Sequence, residues 1–410
     1  MNVLFITLLD IKTVDDRNIY SDLMREFAKN GHNVCFVSPV ERKNGKPTEL
    51  LEFDGDDIHR NTKILKVKTG NIQKTNIIEK GISTVLLEGQ LKNAIKKYYK
   101  NIKFDLILYS TPPITLVKPI KFVKKRDNAQ TYLMLKDIFP QNAVDIGMLS
   151  YGGLKGFIYK YFRMKERKLY EISDKIGCMS RANVEYVQKN NPEISKNKLE
   201  ICPNSIEPRN LSLTAEEKVK IRKKYGIPTD RKVFVYGGNL GRPQGIPFVI
   251  ECLRSQINGD NYFLIVGNGT EYHKLEEFLG ETKPDNMKLI EFLPTDEYDT
   301  LLAACDVGMI FLDYRFTIPN YPSRLLTYMQ AGLPVLAVTD KNSDIGAFLK
   351  ENEIGEYAPS SDVAQFADMV NKIAQSSYDS EKIYRVLEEN YAVSKVYEII
   401  RRSHNAKFSD

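Results

Sequence analysis

The strongest constraint on the fold is a repeated alternation of short apolar segments with longer amphipathic ones. In the first half, residues 3–8, 34–39 and 130–135 have the composition of buried strands, and residues 18–29 that of an amphipathic helix. Strands that alternate with helices predict βαβ units and a parallel sheet. The alternation begins again at residues 232–236, so the sequence predicts an α/β fold with two doubly wound, Rossmann-like domains that face each other across a cleft.

The domain boundary is predicted in the polar stretch that precedes this second series. We expect an N-terminal domain over residues 1–205 and a C-terminal domain over residues 206–385. The remaining residues, 386–410, are expected to form a helix that crosses back to the N-terminal domain. A length of 410 residues suits two cores of this kind.

Composition narrows the class of protein. The sequence contains no run of about 18 apolar residues, so no membrane span is predicted. The N-terminal residues have the pattern of a first strand rather than of a signal peptide, and we therefore expect a cytoplasmic protein. The five cysteines and four histidines are scattered without ligand spacing, and the Asp54-Gly55-Asp56 triplet lies in a charged loop. These features favour buried thiols and no metal site.

Charge is divided unevenly along the chain. Residues 1–200 contain 35 Lys and Arg against 23 Asp and Glu, a net charge of +12, whereas residues 201–410 carry a net charge of −6. A basic domain is typical of proteins that face nucleic acid, an anionic membrane or an anionic substrate. A solvated lysine-rich surface is the alternative.

Three turns of the second half follow predicted strands and favour an anion site. Gly237–Gly245 and Gly267–Gly269 are glycine-rich, so their amides are expected to approach a phosphate closely. The third turn is followed by a helix predicted over residues 324–331, with Ser323 as its cap and Arg324 as a cationic fork. This combination suits a diphosphate; an ordinary capped element of a parallel sheet is the alternative.

Two strand ends of the first half predict a further ligand-binding edge. Ser110, Thr111 and Pro112 follow one strand, and the charged pair Lys136 and Asp137 follows another. Ligands bind open parallel sheets at the carboxyl ends of the strands. Pairing of Lys136 with Asp137, or capping of the next segment, is the structural alternative to a catalytic role.

Residues 154–169 predict an amphipathic helix with aromatic and basic side chains. Leu154, Phe157, Tyr161 and further apolar residues recur at helical spacing, and Lys160, Arg163 and Arg167 are among the basic residues beside them. Such a helix suits an anionic membrane interface. A core-packed helix with a solvated basic face fits the same pattern, and RNA binding lacks any accompanying nucleic-acid module.

The order of these motifs resembles a known family of enzymes. The second half contains, in order, Gly-Gly-Asn-Leu-Gly, Val-Gly-Asn-Gly, Phe-Leu-Pro and Pro-Ser-Arg followed by Tyr-Met, while the first half contains Gly-His-Asn-Val and Lys-Asp-Ile-Phe-Pro. This series is similar to that of GT-B glycosyltransferases of family 4. The branch it resembles builds bacterial capsule and O-antigen repeat units and includes transferases of amino sugars such as fucosamine.

The resemblance implies roles for individual residues. Lys136, Asp137 and Arg324 would be catalytic, and Ser110, Thr111 and Pro112 would bind the acceptor. The amphipathic pattern of residues 154–169, rather than the resemblance, predicts that Phe157, Lys160, Tyr161, Arg163 and Arg167 face the membrane. The donor would contact Gly238, Asn239, Arg242, Gln244, Gly245, Gly267, Asn268, Gly269, Phe292, Leu293, Pro322, Ser323, Arg324, Thr327 and Tyr328.

The sequence departs from the family pattern at charged positions. Asn239 and Gln244 stand where many members have Arg and Lys, and the family's paired glutamates fall on Pro319 and Thr327. Arg324 therefore becomes the main candidate for neutralising a diphosphate, with Arg242 assisting. Thr327 would make only a shorter contact to the ribose.

The function implied is that of a retaining, metal-independent transferase without a cofactor. It would move a sugar, expected to be an N-acetylated amino sugar, from a UDP-sugar to a polyprenyl-diphosphate-linked saccharide at the inner face of the plasma membrane, and would bind no nucleic acid. A nucleotide-sugar 2-epimerase or a non-catalytic nucleotide-sugar-binding subunit are the alternatives. The sugar, the acceptor, the linkage and the oligomeric state are not encoded in any motif that we recognise.

Overall fold

The computed structural model describes residues 1–71 and 77–406, without the side chains of residues 77, 78 and 80–82. The chain divides into two units. One comprises Met1–Glu207 and Val393–Asp410, and the other comprises Pro208–Ala392. The first division lies two residues beyond the predicted boundary, and the second unit continues seven residues beyond the predicted end at 385.

The first unit is built on an eight-stranded sheet. Its order is β3-β4-β2-β1-β5-β6-β7-β8, and β3 pairs antiparallel with β4 while the other pairs are parallel. The strands are β1 (Asn2–Ile6), β2 (Asn33–Glu41), β3 (Glu49–Glu52), β4 (Thr62–Thr69), β5 (Leu106–Ser110), β6 (Gln130–Leu135), β7 (Lys175–Cys178) and β8 (Leu199–Ile201). Every residue of β5 and β6 is buried, which explains their continuous apolar composition.

Helices of the first unit connect these strands. They are α1 (Ile19–Lys29), α2 (Asp57–Arg60), α3 (Ile77–Tyr98), α4 (Val117–Asp127), α5 (Gln141–Asp145), α6 (Gly153–Ile172), α7 (Arg181–Asn190) and, at the C-terminus, α16 (Val393–Ala406). The apolar face of α16 packs into the core of this unit, where the ring of Tyr397 lies 4.9 Å from that of Phe27. Burial of this face holds the C-terminal helix to the first unit.

The second unit is built on a six-stranded parallel sheet of order β11-β10-β9-β12-β13-β14. Its strands are β9 (Val233–Gly237), β10 (Tyr262–Val266), β11 (Met287–Ile290), β12 (Val307–Phe311), β13 (Val335–Thr339) and β14 (Gly355–Pro359). When the strands are numbered from the start of the unit, their order in the sheet is 3-2-1-4-5-6, which is the doubly wound Rossmann arrangement. Between β9 and β12 the successive strands begin to be added on the opposite side of the sheet. Ligands bind such sheets at this reversal of the strand order.

Helices cover both faces of the second sheet. They are α8 (Ala215–Lys224), α9 (Ile246–Arg254), α10 (Tyr272–Thr282), α11 (Thr295–Ala303), α12 (Arg324–Gln330), α13 (Ile345–Glu351), α14 (Val363–Gln375) and α15 (Ser380–Tyr391). Helix α15 packs on α12 and on the loop before it, where the hydroxyl groups of Tyr321 and Tyr391 hydrogen bond at 2.5 Å. This packing explains why the second unit extends beyond residue 385.

The polar stretch at 41–71, for which no strand or helix is predicted, has regular structure. It contains β3, β4 and α2. Asp56 of the Asp-x-Asp triplet caps α2, because its side chain accepts a hydrogen bond from the main-chain amide of His59. The triplet is thus solvent-exposed, as expected, but its last residue begins a helix instead of lying within a loop. Residues 72–76, which follow this stretch, and 407–410 of the predicted C-terminal segment, lie outside the described residues.

Candidate active site

A cavity of about 620 Å³ lies in the second unit, at the carboxyl ends of β9, β10 and β11 and beside the start of α12. Nine of the residues predicted to contact the donor line it. They are Gly238, Gly267, Asn268, Phe292, Leu293, Pro322, Ser323, Arg324 and Thr327. The sheet therefore brings the ends of three strands and the third turn to one site, as predicted.

The two glycine turns pack directly against each other. Gly238 has a φ of +130°, which favours glycine, and a Cβ added to Gly267 would lie 1.9 Å from the Gly238 carbonyl oxygen. Main-chain hydrogen bonds join the turns from Gly238 N to Val266 O and from Leu240 N to Asn268 O, both 2.9 Å. The glycines are thus required by close packing of the turns.

The expectation that the glycine amides bind phosphate is not supported by this geometry. Gly237 N donates to the Tyr328 hydroxyl at 3.1 Å, Gly267 N to Ile290 O at 2.9 Å and Gly269 N to Asn268 Oδ1 at 2.6 Å. Together with Gly238, these amides already have acceptors inside the unit. These four glycine amides are therefore not available to a bound anion.

Arg324 is the cation of this cavity. Its guanidinium carbon lies 4.4 Å from the ring centre of Tyr236, and its Nη1 is fully buried without a hydrogen-bond partner. No carboxylate in the described part of the chain forms an ion pair with it. Burial works to lower the pKa of Arg324, but Tyr236 and Tyr328 more than offset this and raise it above the ordinary value. The guanidinium is held rigidly and retains capacity for an anion.

The start of α12 differs in detail from the prediction. Ser323 occupies the N-cap position, as predicted, but it has helical backbone angles and its side chain makes no capping hydrogen bond. Its hydroxyl is exposed at the cavity instead. Tyr328 does not reach the cavity, because its buried hydroxyl accepts from Gly237 N and donates to Met309 O at 2.9 Å. We assign Tyr328 to support of the first glycine turn.

Several residues predicted to contact the nucleotide-sugar donor instead contact other protein groups. Asn239 donates to Gln244 Oε1 at 3.0 Å, and the same oxygen accepts from Gly241 N, so Gln244 closes the turn from within. Arg242 is exposed, and its Nε lies 3.9 Å from Oε1 of Glu271. The predicted donor residues outside the cavity lining are Asn239, Arg242, Gln244, Gly245, Gly269 and Tyr328.

The far end of the cavity contains residues that the sequence did not single out. Glu291 follows β11 directly, and Thr295 and Tyr298 belong to the first turns of α11. Glu291 accepts a hydrogen bond of 2.6 Å from Asn268 Nδ2. The position of Glu291 immediately after strand β11, next to Phe292, is the signal that identifies it in retrospect.

Asp137 is the principal ionisable group at the predicted ligand edge of the first unit. It follows β6, and its Oδ2 accepts from Asn142 Nδ2 at 2.7 Å, while its Oδ1 is buried without a hydrogen-bond partner. Burial raises the pKa of Asp137 to about 6. A carboxylate with a raised pKa and a free acceptor position is suited to bind and deprotonate a hydroxyl group.

Lys136 does not share this environment. Its Nζ donates to Pro203 O at 3.0 Å, and burial lowers its pKa. The lysine ties β6 to the segment after β8 and forms no ion pair with Asp137. The geometry therefore argues against the predicted catalytic role of Lys136, because its ammonium group is engaged with main-chain carbonyls.

The predicted acceptor residues mostly support Asp137. Thr111 is fully buried, and its Oγ1 donates to the Asp137 carbonyl at 2.8 Å. Ser110 is also buried and lies near Tyr20, whose pKa is raised by burial. Only Pro112 is exposed. Thr111 and Ser110 therefore position neighbouring groups and offer little surface to an acceptor.

The predicted membrane helix corresponds to α6 and has an exposed apolar end. Leu154 is 79% exposed, and Phe157 is 72% exposed. Tyr151 in the preceding turn, Tyr161 and Lys160 are exposed as well. Such large apolar side chains in a single stretch are unusual for a surface that only faces water.

Arg163 was assigned to this surface incorrectly. It forms an ion pair of 2.5 Å with buried Glu166 and donates to Asn191 Oδ1 at 2.5 Å. Arg167, by contrast, is exposed and lies 3.7 Å from Glu193. The buried position of Glu166 on the same helix explains why helical spacing alone misplaced Arg163.

Two negative findings apply to the described part of the chain only. None of its helices is both long enough and apolar enough to span a bilayer. Within the same residues, we find no group of three or more acidic, histidine or cysteine side chains arranged to hold a metal ion.

The fold and the cavity place the protein among α/β proteins with two Rossmann-like sheets, which confirms the predicted fold class. A solved structure of HepE from Anabaena, in complex with UDP-glucose, superimposes with a TM-score of 0.68 over 99% of this chain and all of that one, at 12% sequence identity. Residues 217–390 match the family described as "Glycosyl transferases group 1". This match covers nearly the whole of the second unit.

Two curated relatives are 25% identical to the chain. WbjE of Pseudomonas aeruginosa, which carries the name of a probable glycosyltransferase, matches over 292 residues, 70% of this chain and 71% of its own. WcaI of Escherichia coli K12, which carries the name of a colanic acid biosynthesis glycosyl transferase, matches over 249 residues, 60% of each chain. Most of the second unit is thus similar to group 1 glycosyl transferases, and the protein is a glycosyltransferase.

Proposed function

We propose that this glycosyltransferase is retaining and metal-independent, and that it transfers an N-acetylated amino sugar from a UDP-sugar to a lipid-linked saccharide. The observation that carries the donor assignment is the half-buried guanidinium of Arg324, which lines the cavity with one nitrogen unpartnered. A fixed cationic fork without a carboxylate partner matches a diphosphate. HepE, which shares the fold, was solved with UDP-glucose.

In the proposed reaction, the bond between the anomeric carbon and the β-phosphate oxygen breaks, and its electron pair remains on UDP. An acceptor hydroxyl oxygen forms the new bond on the same face of the sugar, and its proton passes to the departing phosphate. Negative charge grows on the diphosphate as the bond breaks. Arg324 stabilises that charge more in the transition state than in the ground state, so it lowers the barrier without a metal ion.

Asp137 is proposed to bind the acceptor in the first unit. Its Oδ1, which has no hydrogen-bond partner within the protein, is proposed to accept a hydrogen bond from an acceptor hydroxyl. Thr111 and Asn142 hold the residue in place through its main chain and its other carboxylate oxygen. Asp137 therefore retains its proposed catalytic role, whereas Lys136 does not.

A lipid-linked acceptor of the polyprenyl-diphosphate type is proposed from the relatives and from α6. The name of WcaI refers to colanic acid, a bacterial polysaccharide. The exposed apolar end of α6, with Leu154 and Phe157 next to Lys155 and Lys160, suits the interface of an anionic membrane. Both features are consistent with a role in capsule or O-antigen synthesis at the inner membrane face.

The alternative of a nucleotide-sugar 2-epimerase is not favoured by the site. Such an enzyme needs acid and base groups around the sugar, and the cavity lining, all of which is described, contains no histidine and a single carboxylate, Glu291. We find no observation that favours a non-catalytic role.

The proposal is tested with a panel of UDP-sugars. Purified protein is incubated with each donor, with and without a polyprenyl-diphosphate-linked acceptor, and UDP release is measured in the presence of a metal chelator. We expect UDP release from an N-acetylated amino-sugar donor that depends on the acceptor and persists with the chelator. Release of UDP only when a divalent metal is added contradicts the metal-independent mechanism, and no release with any donor contradicts the donor assignment.

A further inference from the structure

The cavity has two charged residues, and they belong to different strand ends. Arg324 rests on Tyr236 of β9, whereas Glu291 follows β11. In the order β11-β10-β9, the two strands are separated by β10. Because adjacent strands lie about 4.8 Å apart, their ends are about 10 Å apart. A ligand that fills the cavity therefore meets a cation at one end and an anion at the other.

The carboxylate of Glu291 is oriented by its neighbour. Asn268 Nδ2 donates to Glu291 Oε1 at 2.6 Å, and Asn268 Oδ1 accepts from Gly269 N at 2.6 Å, which fixes the direction of the amide. No lysine or arginine within the described ranges forms an ion pair with Glu291. A carboxylate offers about four acceptor positions, so the single bond from Asn268 leaves capacity for a ligand.

The chemistry of UDP identifies the group that suits Glu291. A diphosphate is repelled by a carboxylate, and the uracil edge offers only one N–H group, flanked by two carbonyl oxygens that also repel it. The ribose 2′- and 3′-hydroxyls are two adjacent donors without such neighbours. Thr327, which lines the cavity on α12, has a single short hydroxyl and offers less to this diol.

We propose that Glu291, held by Asn268, binds the ribose diol of the nucleotide sugar and so determines the preference of the site for ribonucleotides. This inference rests on the proposed donor function. Glu291 contacts the substrate directly, and Asn268 is a positioning residue. The proposal assigns to the end of β11 the ribose contact that Thr327 can provide only weakly.

The test compares UDP with 2′-deoxy-UDP by calorimetric titration. Hydrogen bonds to a charged group are among the stronger ones, so we expect wild-type protein to bind UDP about tenfold more tightly than 2′-deoxy-UDP. In Glu291→Gln this preference should fall to about twofold or less. The variant Asn268→Ala should reduce it as well, and combining both changes should cause little additional loss, since they act on one contact.

The matched control is Glu277→Gln, which removes one exposed carboxylate from α10, outside the cavity. It should retain the wild-type preference. An unchanged preference in Glu291→Gln overturns the inference, as does tighter binding of both nucleotides, which would place the carboxylate beside the diphosphate. If wild-type protein binds neither nucleotide, the donor assignment itself fails and the inference fails with it.

Discussion

The replacement Arg324→Gln removes the cation of the donor cavity and puts a shorter, neutral polar side chain in its place. The guanidinium lies 4.4 Å from the ring centre of Tyr236 and has an unpartnered Nη1, so a diphosphate gains charge-assisted hydrogen bonds from it. Such bonds contribute about 1.5–3 kcal/mol. At about 1.4 kcal/mol per tenfold, the dissociation constant for UDP should rise about ten- to a hundredfold.

Uridine lacks the diphosphate and provides the internal comparison. Its affinity for Arg324→Gln should stay within about twofold of wild type, measured by calorimetric titration of both ligands, because no charge-assisted bond is lost. The control Arg242→Gln removes a cation that is exposed, faces Glu271 and lies outside the cavity. It should bind UDP as wild type does.

Two results would refute this reasoning. If Arg324→Gln binds UDP normally, the arginine is not the diphosphate ligand. If UDP and uridine lose affinity by the same factor, the change has altered the shape of the cavity, since Arg324 also packs on Tyr236. Thermal unfolding of each variant separates loss of a ligand contact from loss of the fold.

Three further predictions concern other parts of the molecule. Burial raises the pKa of Asp137 to about 6, against about 3.9 in an unfolded chain. The folded state therefore loses stability as pH rises through 6, because the carboxyl group must then ionise in its buried position. The variant Asp137→Asn should raise the melting temperature more at pH 8 than at pH 4.5, and equal shifts at the two pH values would contradict this. Gly267→Ala should destabilise the fold by about 2 kcal/mol or more in denaturant titrations, because the new Cβ meets a main-chain oxygen. The control Gly280→Ala places a Cβ in open space, so it should be neutral or stabilising by about 0.5–1 kcal/mol. Changing both Leu154 and Phe157 to Ser should abolish flotation with anionic liposomes, and undiminished flotation would show that α6 is not the membrane contact.

Much of the fold could be predicted because buried parallel strands have a distinctive composition. Strands β9, β10, β12 and β13 of the second unit are short, almost wholly apolar and separated by helices, so their order along the chain can be predicted. Strands β3 and β4 were missed because they lie in a polar region, where β3 is only partly buried and β4 contains Lys63, Lys66 and Lys68.

The limits of the site prediction have one physical cause. Sequence order shows which turns share a sheet edge, but not which polar groups are already satisfied there. Gln244 matched a donor-binding motif, yet its side chain closes its own turn. Lys136 stood beside Asp137 in the sequence, yet it bonds to carbonyl groups from another strand end. The first of these hydrogen bonds is local and the second joins residues 67 positions apart, but the sequence of a single chain gives no signal for either.

A structure of the protein in complex with UDP would test the central claim most directly. We predict that diphosphate oxygens lie within about 3 Å of the Arg324 guanidinium, in the cavity at the ends of β9, β10 and β11. A diphosphate bound elsewhere, with Arg324 still contacting only protein, would contradict the donor assignment.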